Sequence, residues 1–402
     1  GYLGNWMVLP VLPLFLSAQG YSEAFIGLVI AAYNVSSFSA RPLFGRLVDV
    51  GRPRSALIAS CGLLGVTAFG YLVPSTAFLF LVRASHGLGW AGLNAVGTAW
   101  IAALAPVTRR AEAMGYYTMS QSFGTAVAPA IGIGLLTSYG AGAAFSASAV
   151  CGIAAFVAAL MTQAPPRVTP HVTNVTPNET PGVTEVTNVT PGVTPQVTNV
   201  TPGVTPGRRF WLARFVEPSV ISVTAILTLV QINGPVISSF APLYFRSLGV
   251  SGIEWYFAGQ GVMSIFSRAL LGTWADRIGR ARSLLLGFGI QIGGLIMLWL
   301  SADLILLTIG GALYTLGQGI SQPSLYAMAA DRADPARRGS AMATYTMGFQ
   351  LGSGIGAVVW GSTIEHFGYH VMYACTLLPM LAAIGMAARE GIKRPAALGS
   401  RG

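Results

Sequence analysis

Long apolar stretches alternate with short polar segments along most of the chain. About 20 apolar residues are needed for a helix to cross the hydrocarbon core of a bilayer. By that measure the sequence predicts twelve spans, numbered here in chain order: 1–17, 22–44, 55–74, 77–105, 113–137, 142–163, 217–245, 251–271, 283–301, 304–330, 340–363 and 367–388. The pattern therefore predicts an all-α membrane protein with twelve transmembrane helices.

The composition is typical of a chain that is surrounded by lipid rather than by water. Charged residues make up 9% of the 402 residues, against about 25% in a soluble domain. So few charges could not cover the surface of a soluble protein of this size. The net charge of the chain is +10. The arginines that carry it recur at helix-pair spacing, whereas those of nucleic-acid binders cluster on one face. We therefore expect a lipid bilayer, and no nucleic acid, as the partner.

The basic residues also predict the orientation of the chain. Nineteen of the 23 Lys and Arg residues follow spans 2, 4, 6, 8 and 10 or lie in the C-terminal tail, whereas the loops on the other side hold only Arg246. Positive charge accumulates on the cytoplasmic side of membrane proteins. We expect both termini and the long central loop to be cytoplasmic, in a multi-pass protein of the inner (plasma) membrane.

An internal repeat divides the chain into two similar halves. Residues 41–54 and 268–282 share a Gly- and Arg-rich pattern 227 or 228 residues apart, and residues 109–119 match 337–347 at an offset of 228. Pro13 in span 1 aligns with Pro242 in span 7. Parallel repeats of this kind occur in secondary transporters. We expect two pseudo-symmetric six-helix bundles that face each other across a cavity.

The repeat and a low-complexity segment set the expected domain boundaries. Residues 165–212 are rich in Pro, Thr and Val, which favours an extended cytoplasmic linker. Span 1 is shorter before Pro13 than span 7 is before Pro242, so we expect about ten further residues at its start in a complete helix. The predicted units are an N-terminal bundle at 1–164, the linker at 165–212, a C-terminal bundle at 213–388 and a cytoplasmic tail at 389–402.

Four motifs resemble those of the major facilitator superfamily, and within it the twelve-helix drug:proton antiporter branch. The loop after span 2 is similar to the superfamily's cytoplasmic signature, and Arg83 in span 4 to its membrane-embedded arginine motif. His86 stands where Gln is usual. Span 1 carries Leu3-Gly4 and then Pro10 to Pro13, typical of drug-efflux members. Span 5 carries an antiporter-like motif, in which Ala128 and Ile133 replace two glycines: Gly115, Gly124, Pro129 and Gly132.

The resemblance implies a secondary active transporter that works by alternating access. It favours proton-coupled efflux of small apolar or amphipathic compounds by a monomer whose partners are the substrate and protons. Two alternatives stay open: proton-coupled uptake of a metabolite such as an organic acid, with Arg83 as the anchor, and a membrane sensor without transport. Motifs for nucleotide, metal or nucleophile chemistry are not found in the sequence, so we expect no enzyme activity, cofactor or metal.

The two matched Arg-rich segments are candidates for a cytoplasmic gate. A carboxylate at a helix end can accept hydrogen bonds from a neighbouring helix N-terminus or an arginine, and glycines permit close helix approach. The alternative is a charge cluster that only fixes orientation. The gate candidates are Arg41, Gly45, Asp49, Gly51, Arg52 and Arg54 in the first segment and Arg268, Gly272, Asp276, Arg277, Gly279 and Arg280 in the second.

Arg83 and His86 are the candidate coupling residues. Arg83 lies too deep in span 4 to fix topology, and a buried cation in lipid must face the cavity or find a partner. His86 shares its helix face and is either a proton carrier or a structural histidine. Spans 1, 4 and 5 contain no carboxylate, so proton coupling would need another group.

The expected cavity is apolar with few polar groups, which suits a weakly polar substrate better than a sugar. Pro129 is expected to interrupt span 5, and its glycines to allow close packing. The candidate polar contacts are Asn5, Trp6, Asn94, Tyr117, Gln121, Gln231, Asn233, Gln318, Gln322 and Gln350.

Overall fold

The computed structural model describes residues 1–50, 52–73, 75–105, 109–162, 217–270, 278–334 and 337–392. Within these ranges the chain is helical and contains no strand. The expected linker and residues 393–402 of the expected tail lie outside the described residues. Among the described residues, seven helical stretches are long and apolar enough to cross a membrane, and one of these, Ser340–Glu390, contains two helices that meet at Gly368.

Each span of the N-terminal half is one helix. Their bounds are Tyr2–Ala18, Glu23–Asp49, Pro53–Gly70, Thr76–Leu104, Arg110–Tyr139 and Ala141–Met161. The hydroxyls of Ser22 and Ser75 cap spans 2 and 4 by accepting backbone N–H bonds at 3.3 and 3.4 Å. Spans 5 and 6 are joined directly at Gly140, whose φ of 81° only glycine adopts without strain.

Span 7 is helical from Pro218 to Ser247, but the type of helix changes along it. A 3₁₀ turn at Pro218–Val220 leads into an α-helix at Ile221–Gln231, followed by a π-helical turn at Val236–Phe240 and an α-helix at Ala241–Ser247. The π-helical turn begins directly after Gly234-Pro235, and proline has no N–H to donate to the helix. The Ile232 carbonyl at this point accepts a hydrogen bond from Trp360 Nε1 at 2.8 Å.

The remaining spans of the C-terminal half pack as long helices. Span 8 is Ile253–Leu270, span 9 Arg280–Leu300 and span 10 Leu304–Arg332. Spans 11 and 12, predicted as separate stretches, are two helices within Arg338–Ile392. They meet at Gly368, where φ is 80° and ψ is 172° and the backbone is not helical, so a single residue replaces the expected loop.

The internal repeat appears in the contacts of the two halves. Ser148 Oγ in span 6 donates to the Gly4 carbonyl in span 1 at 2.8 Å. The positions 228 and 229 residues later, Thr376 and Asn233, are also bonded, through Asn233 Nδ2 and the Thr376 carbonyl at 2.9 Å. The halves therefore share one packing scheme.

The halves meet along spans 2 and 11, which run antiparallel. We call the end of the bundle that holds the loops after spans 2, 4, 8 and 10 the arginine-rich side, and the other end the arginine-poor side. At the arginine-poor side, Glu365 accepts from the Ala24 backbone N–H at 3.0 Å. Nearer the arginine-rich side, Arg41 Nη1 donates to Thr346 Oγ1 at 2.6 Å.

Two further seams join the halves near the middle of the bundle. Ser239 Oγ in span 7 donates to the Leu9 carbonyl in span 1 at 3.4 Å. Gly261 in span 8 lies against span 5, where a Cβ would fall 2.3 Å from the Ala126 carbonyl oxygen.

Candidate functional site

Arg83 is buried against aromatic rings. It is the eighth residue of the span 4 helix and only 2% exposed. Its guanidinium carbon lies 5.5 Å from the ring centroid of Tyr33 and 5.4 Å from that of Tyr71, and its Nε has no hydrogen-bond partner. No described carboxylate forms an ion pair with it. The faces of two tyrosines, rather than a carboxylate, therefore stabilise this cation.

His86 completes a cluster around Arg83. Its Nδ1 is 2.7 Å from the Tyr71 hydroxyl, and its ring meets that of Tyr33 edge-on at 5.7 Å. The Tyr33 hydroxyl donates to Asn5 Oδ1 at 2.9 Å. We call these five residues, contributed by spans 1 to 4, the Arg83 cluster. Asn5, a predicted cavity residue, is buried and holds the Tyr33 hydroxyl.

A second cluster centres on Tyr2. Its hydroxyl donates to Asn94 Oδ1 at 3.0 Å, lies 2.8 Å from the Tyr117 hydroxyl and accepts from Gln121 Nε2 at 2.9 Å. The Trp90 ring packs against both Tyr2 and Trp6, with centroids 5.2 and 6.2 Å away. We call these six residues of spans 1, 4 and 5 the Tyr2 cluster.

Four of the six members of the Tyr2 cluster are residues that the sequence predicts as polar contacts: Trp6, Asn94, Tyr117 and Gln121. Tyr2 and Trp90 were missed, although each lies one helical turn before a predicted residue, Trp6 and Asn94. The i, i+4 spacing was the available signal.

The predicted effect of Pro129 is wrong, whereas the glycines of span 5 pack closely. The helix runs unbroken from Arg110 to Tyr139 with Pro129 buried inside it. A Cβ on Gly124 would lie 3.1 Å from Tyr2 Cβ, and one on Gly132 would lie 3.0 Å from the Met7 carbonyl oxygen. Span 1 therefore rests on this face of span 5. Gly115 lies on the same helix.

The polar candidates of the C-terminal half do not form one cluster. Gln231, Asn233 and Gln350 are buried, and each has a side-chain oxygen without a partner. Gln318 and Gln322 are partly buried on span 10. Within the described part of the chain, no hydrogen bond joins these five side chains to one another.

The gate candidates are only partly described. Arg41 bonds across the halves, whereas Arg54 Nη2 donates to the Leu160 carbonyl at 2.9 Å within its own half. Arg280 pairs with Asp331. Arg52 is exposed and its backbone N–H bonds to the Leu47 carbonyl at 2.9 Å.

Two glycines of the gate segments are also described. The expected close helix approach at Gly45 is absent, because a Cβ there would have no described atom within 4 Å. Gly279 precedes span 9 with a φ of 89°. Asp49 and Arg268 lie in helices, but their side chains are not among those described; Gly51, Gly272, Asp276 and Arg277 lie outside the described residues. The gate stays a prediction.

Curated relatives match nearly the whole chain. An MFS-type transporter of Methanocaldococcus jannaschii is 22% identical over 376 residues, covering 92% of this chain and 90% of its own. One from Burkholderia pseudomallei strain 1106a is 23% identical over 398 residues, covering 96% and 88%.

Solved structures show the same fold. An inward-facing, unoccupied bacterial homologue of the human lysosomal transporter Spinster has a TM-score of 0.72 and 17% identity, covering 98% of this chain and 95% of its own. A D-xylose–proton symporter has a TM-score of 0.71 and 17% identity, covering 96% and 93%. The predicted fold of two six-helix bundles is confirmed.

The family model described as Major Facilitator Superfamily matches residues 1–267 and 228–399. Together the two matches leave only the last residues unmatched. The chain therefore belongs to the Major Facilitator Superfamily, whose members are secondary transporters that work by alternating access.

Proposed function

We propose that this transporter exports small apolar or amphipathic compounds and that proton entry drives the export. The observation that carries the proposal is the burial of His86 beside Arg83, with its Nδ1 bonded to the Tyr71 hydroxyl at 2.7 Å. An imidazole can gain or lose a proton near neutral pH. Spans 1, 4 and 5 offer no carboxylate for that role.

Protonation of His86 would change the stability of the whole Arg83 cluster. Two cations one helical turn apart would then share a buried site whose other members, Tyr33, Tyr71 and Asn5, carry no charge. Like charges at low dielectric repel strongly. The protonated cluster therefore favours a conformation in which water reaches it, and the deprotonated cluster favours the closed packing described here.

The Tyr2 cluster supports an apolar or amphipathic substrate. The rings of Tyr2, Trp6, Trp90 and Tyr117 offer large flat surfaces. The polar groups of the cluster already bond to one another, through the Tyr2 hydroxyl, Asn94 and Gln121. A sugar would require many free donors and acceptors, whereas an amphipathic compound binds mainly through its apolar surface.

In the proposed orientation, the arginine-rich side and both termini lie in the cytoplasm. The protein is proposed to be a monomer in the inner membrane of the cell. The positive-inside rule supports this orientation. Asp49 and Asp276 are proposed to latch the gate on this side, since each lies close to arginines in the sequence.

Uptake of an organic acid anchored by Arg83 is the less favoured alternative. The Arg83 guanidinium is covered by the Tyr33 and Tyr71 rings, so a carboxylate would have to displace them. A membrane sensor would need a signalling domain, for which the sequence of residues 165–207 and 389–402 shows no sign.

Flux into proteoliposomes tests the proposal. Labelled aromatic acids, alcohols and amines would be presented under an imposed pH gradient of either sign. We expect transport of at least one class against the direction of proton movement in the wild type, and loss of the gradient-dependent part in His86→Gln. The exposed His366, changed to Gln, is the matched control. Gradient-dependent flux that survives in His86→Gln would show that this histidine is structural.

A further inference from the structure

Buried polar groups of the two halves face each other between spans 2 and 11. Ser37 and Arg41 lie on successive turns of span 2, and Thr346 and Gln350 on successive turns of span 11. The helices are antiparallel, with Asn34 Cβ 3.3 Å from a Cβ on Gly354 and Arg41 bonded to Thr346. Gln350 lies on the same helix face midway between Gly354 and Thr346. It therefore faces the stretch of span 2 that contains Ser37.

Three atoms of this group are without hydrogen-bond partners. They are Ser37 Oγ, Arg41 Nε and Gln350 Oε1. Ser37 is 0% exposed and Gln350 4% exposed. A buried donor or acceptor that stays unpaired costs free energy, and three of them along one seam provide the donors and acceptors of a binding site. We call Ser37, Arg41, Thr346 and Gln350 the Arg41 patch.

We propose that Ser37, Arg41 and Gln350 of the Arg41 patch bind the carboxylate end of an amphipathic organic anion, which takes the place of the Thr346 hydroxyl on Arg41. This deepens the proposed function, on which it rests, by naming the substrate class. The guanidinium edge that includes the free Nε–H matches the two oxygens of a carboxylate, and the Ser37 hydroxyl can donate as well. Gln350 Oε1 accepts from a hydroxyl or amide hydrogen near the carboxylate.

Arg41 suits this role better than Arg83. Both are cations within the membrane region, and neither forms an ion pair with a described carboxylate. Two tyrosine rings cover Arg83, which is 2% exposed. Arg41 is partly exposed, and its one bond to a neighbouring side chain in the described structure is to a neutral hydroxyl. A carboxylate replaces that hydroxyl with a stronger, charge-assisted bond.

Binding at this place would be linked to the movement of the halves. The bond between Arg41 and Thr346 joins span 2 to span 11, so it breaks whenever the halves separate at this point. A bound carboxylate then satisfies the guanidinium that Thr346 has released. The anion therefore stabilises the separated state more than the joined one, which is what a ligand must do to shift a conformational equilibrium.

Thermal unfolding of the purified full-length protein in lipid nanodiscs tests the site. The probes are 2-naphthoate and the neutral 2-naphthylmethanol, which differ in the carboxylate. We expect 2-naphthoate to raise the wild-type melting temperature more than the alcohol does, and Arg41→Gln to remove that difference. Arg46→Gln is the matched control, because Arg46 is an exposed arginine on the same helix.

Thr346→Val gives a prediction of the opposite sign. Removing the competing hydroxyl frees Arg41, so 2-naphthoate should bind about tenfold more tightly, the equivalent of one hydrogen bond. Binding weakened by this change would contradict the exchange mechanism.

Three results overturn the anion site: an equal response to both probes, no response of the wild type to 2-naphthoate, and loss of the response in Arg83→Gln but not in Arg41→Gln. Because unfolding needs no gradient, anion binding without proton-driven flux would refute the proposed function alone. Proton-driven flux of alcohols or amines without anion binding would refute the site alone.

Discussion

The two halves of the molecule repeat their packing but not their chemistry. Gly124 of span 5 lies against Tyr2 of span 1, and the positions 228 and 229 residues later, Gly352 and Gln231, lie against each other in the same way. The positions of Ser148 and Gly4 are likewise bonded in the C-terminal half, with donor and acceptor exchanged.

The difference is sharpest in spans 4 and 10. At an offset of 228, Gly311 stands where the N-terminal half has Arg83, and Tyr314 where it has His86. The Tyr256 ring fills the space beside Gly311, and the Tyr256 hydroxyl bonds to the Ile237 carbonyl at 3.2 Å. A shared scaffold thus holds a charged cluster in one half and close-packed aromatic rings in the other. The proposed coupling residues therefore have no counterparts of the same chemistry at the matching positions of the C-terminal half.

The largest expected effect is on transport. Arg83→Ala should leave the protein folded in the membrane and reduce gradient-driven flux to background, because a cation retained in lipid is usually functional. Arg83→Lys should restore little, since an ammonium lacks the planar face that stacks on Tyr33 and Tyr71. Flux into proteoliposomes measures both, with Arg46→Ala as the control. Wild-type flux in Arg83→Ala would remove the functional contrast between the halves.

The corresponding change in the C-terminal half should affect stability. A Cβ on Gly311 would lie 2.3 Å from the Tyr256 ring, so Gly311→Ala should destabilise the protein by about 1–3 kcal/mol through overpacking. Adding Tyr256→Leu should recover part of the loss. The melting temperatures of the wild type, the two single variants and the double variant are compared in a double-mutant cycle. Additive losses would show that the ring and the glycine are not coupled.

A smaller effect is expected when each of the two equivalent glycines is changed to alanine. Gly352→Ala would place a Cβ 2.3 Å from the Thr228 carbonyl oxygen, whereas Gly124→Ala would place one 3.1 Å from Tyr2 Cβ. A backbone atom yields less than a side chain, so Gly352→Ala should lower the melting temperature further. The opposite order would mean that span 1 is held more rigidly than span 7.

The smallest expected effect concerns the segment that joins the halves. Deleting residues 170–205 should leave membrane insertion and flux unchanged at equal expression, because a proline-rich repeat adds length without packing. Lost activity would show that the segment does more than connect the two units.

The sequence predicted the architecture well because periodicity, charge distribution and the repeat are properties of long stretches. It missed features decided by single residues. Pro129 was expected to break span 5, yet the helix continues around it. The π-helical turn of span 7, which begins directly after Gly234-Pro235, was not predicted, because the apolar run continues across it.

The neighbours of Arg83 in space also could not be predicted from the sequence. Arg83 and His86 share a helix face through local spacing, which a sequence reveals. Tyr33 and Tyr71 come from two other spans, and only the packing of helices brings their rings to the guanidinium. The same holds for Thr346, which lies 305 residues from Arg41.

The seam between spans 2 and 11 has a mechanical consequence. Where Gly27 meets Gly361, backbone lies against backbone, and a Cβ on Gly27 would fall 2.2 Å from the Ala357 carbonyl oxygen. Interlocked side chains hold packed interfaces in discrete positions. Where Gly27 meets Gly361 there are no side chains to interlock, so the two helices can move past one another more smoothly. We therefore expect the polar contacts at either end of this seam, Glu365 with Ala24 and Arg41 with Thr346, to set the cost of separating the halves.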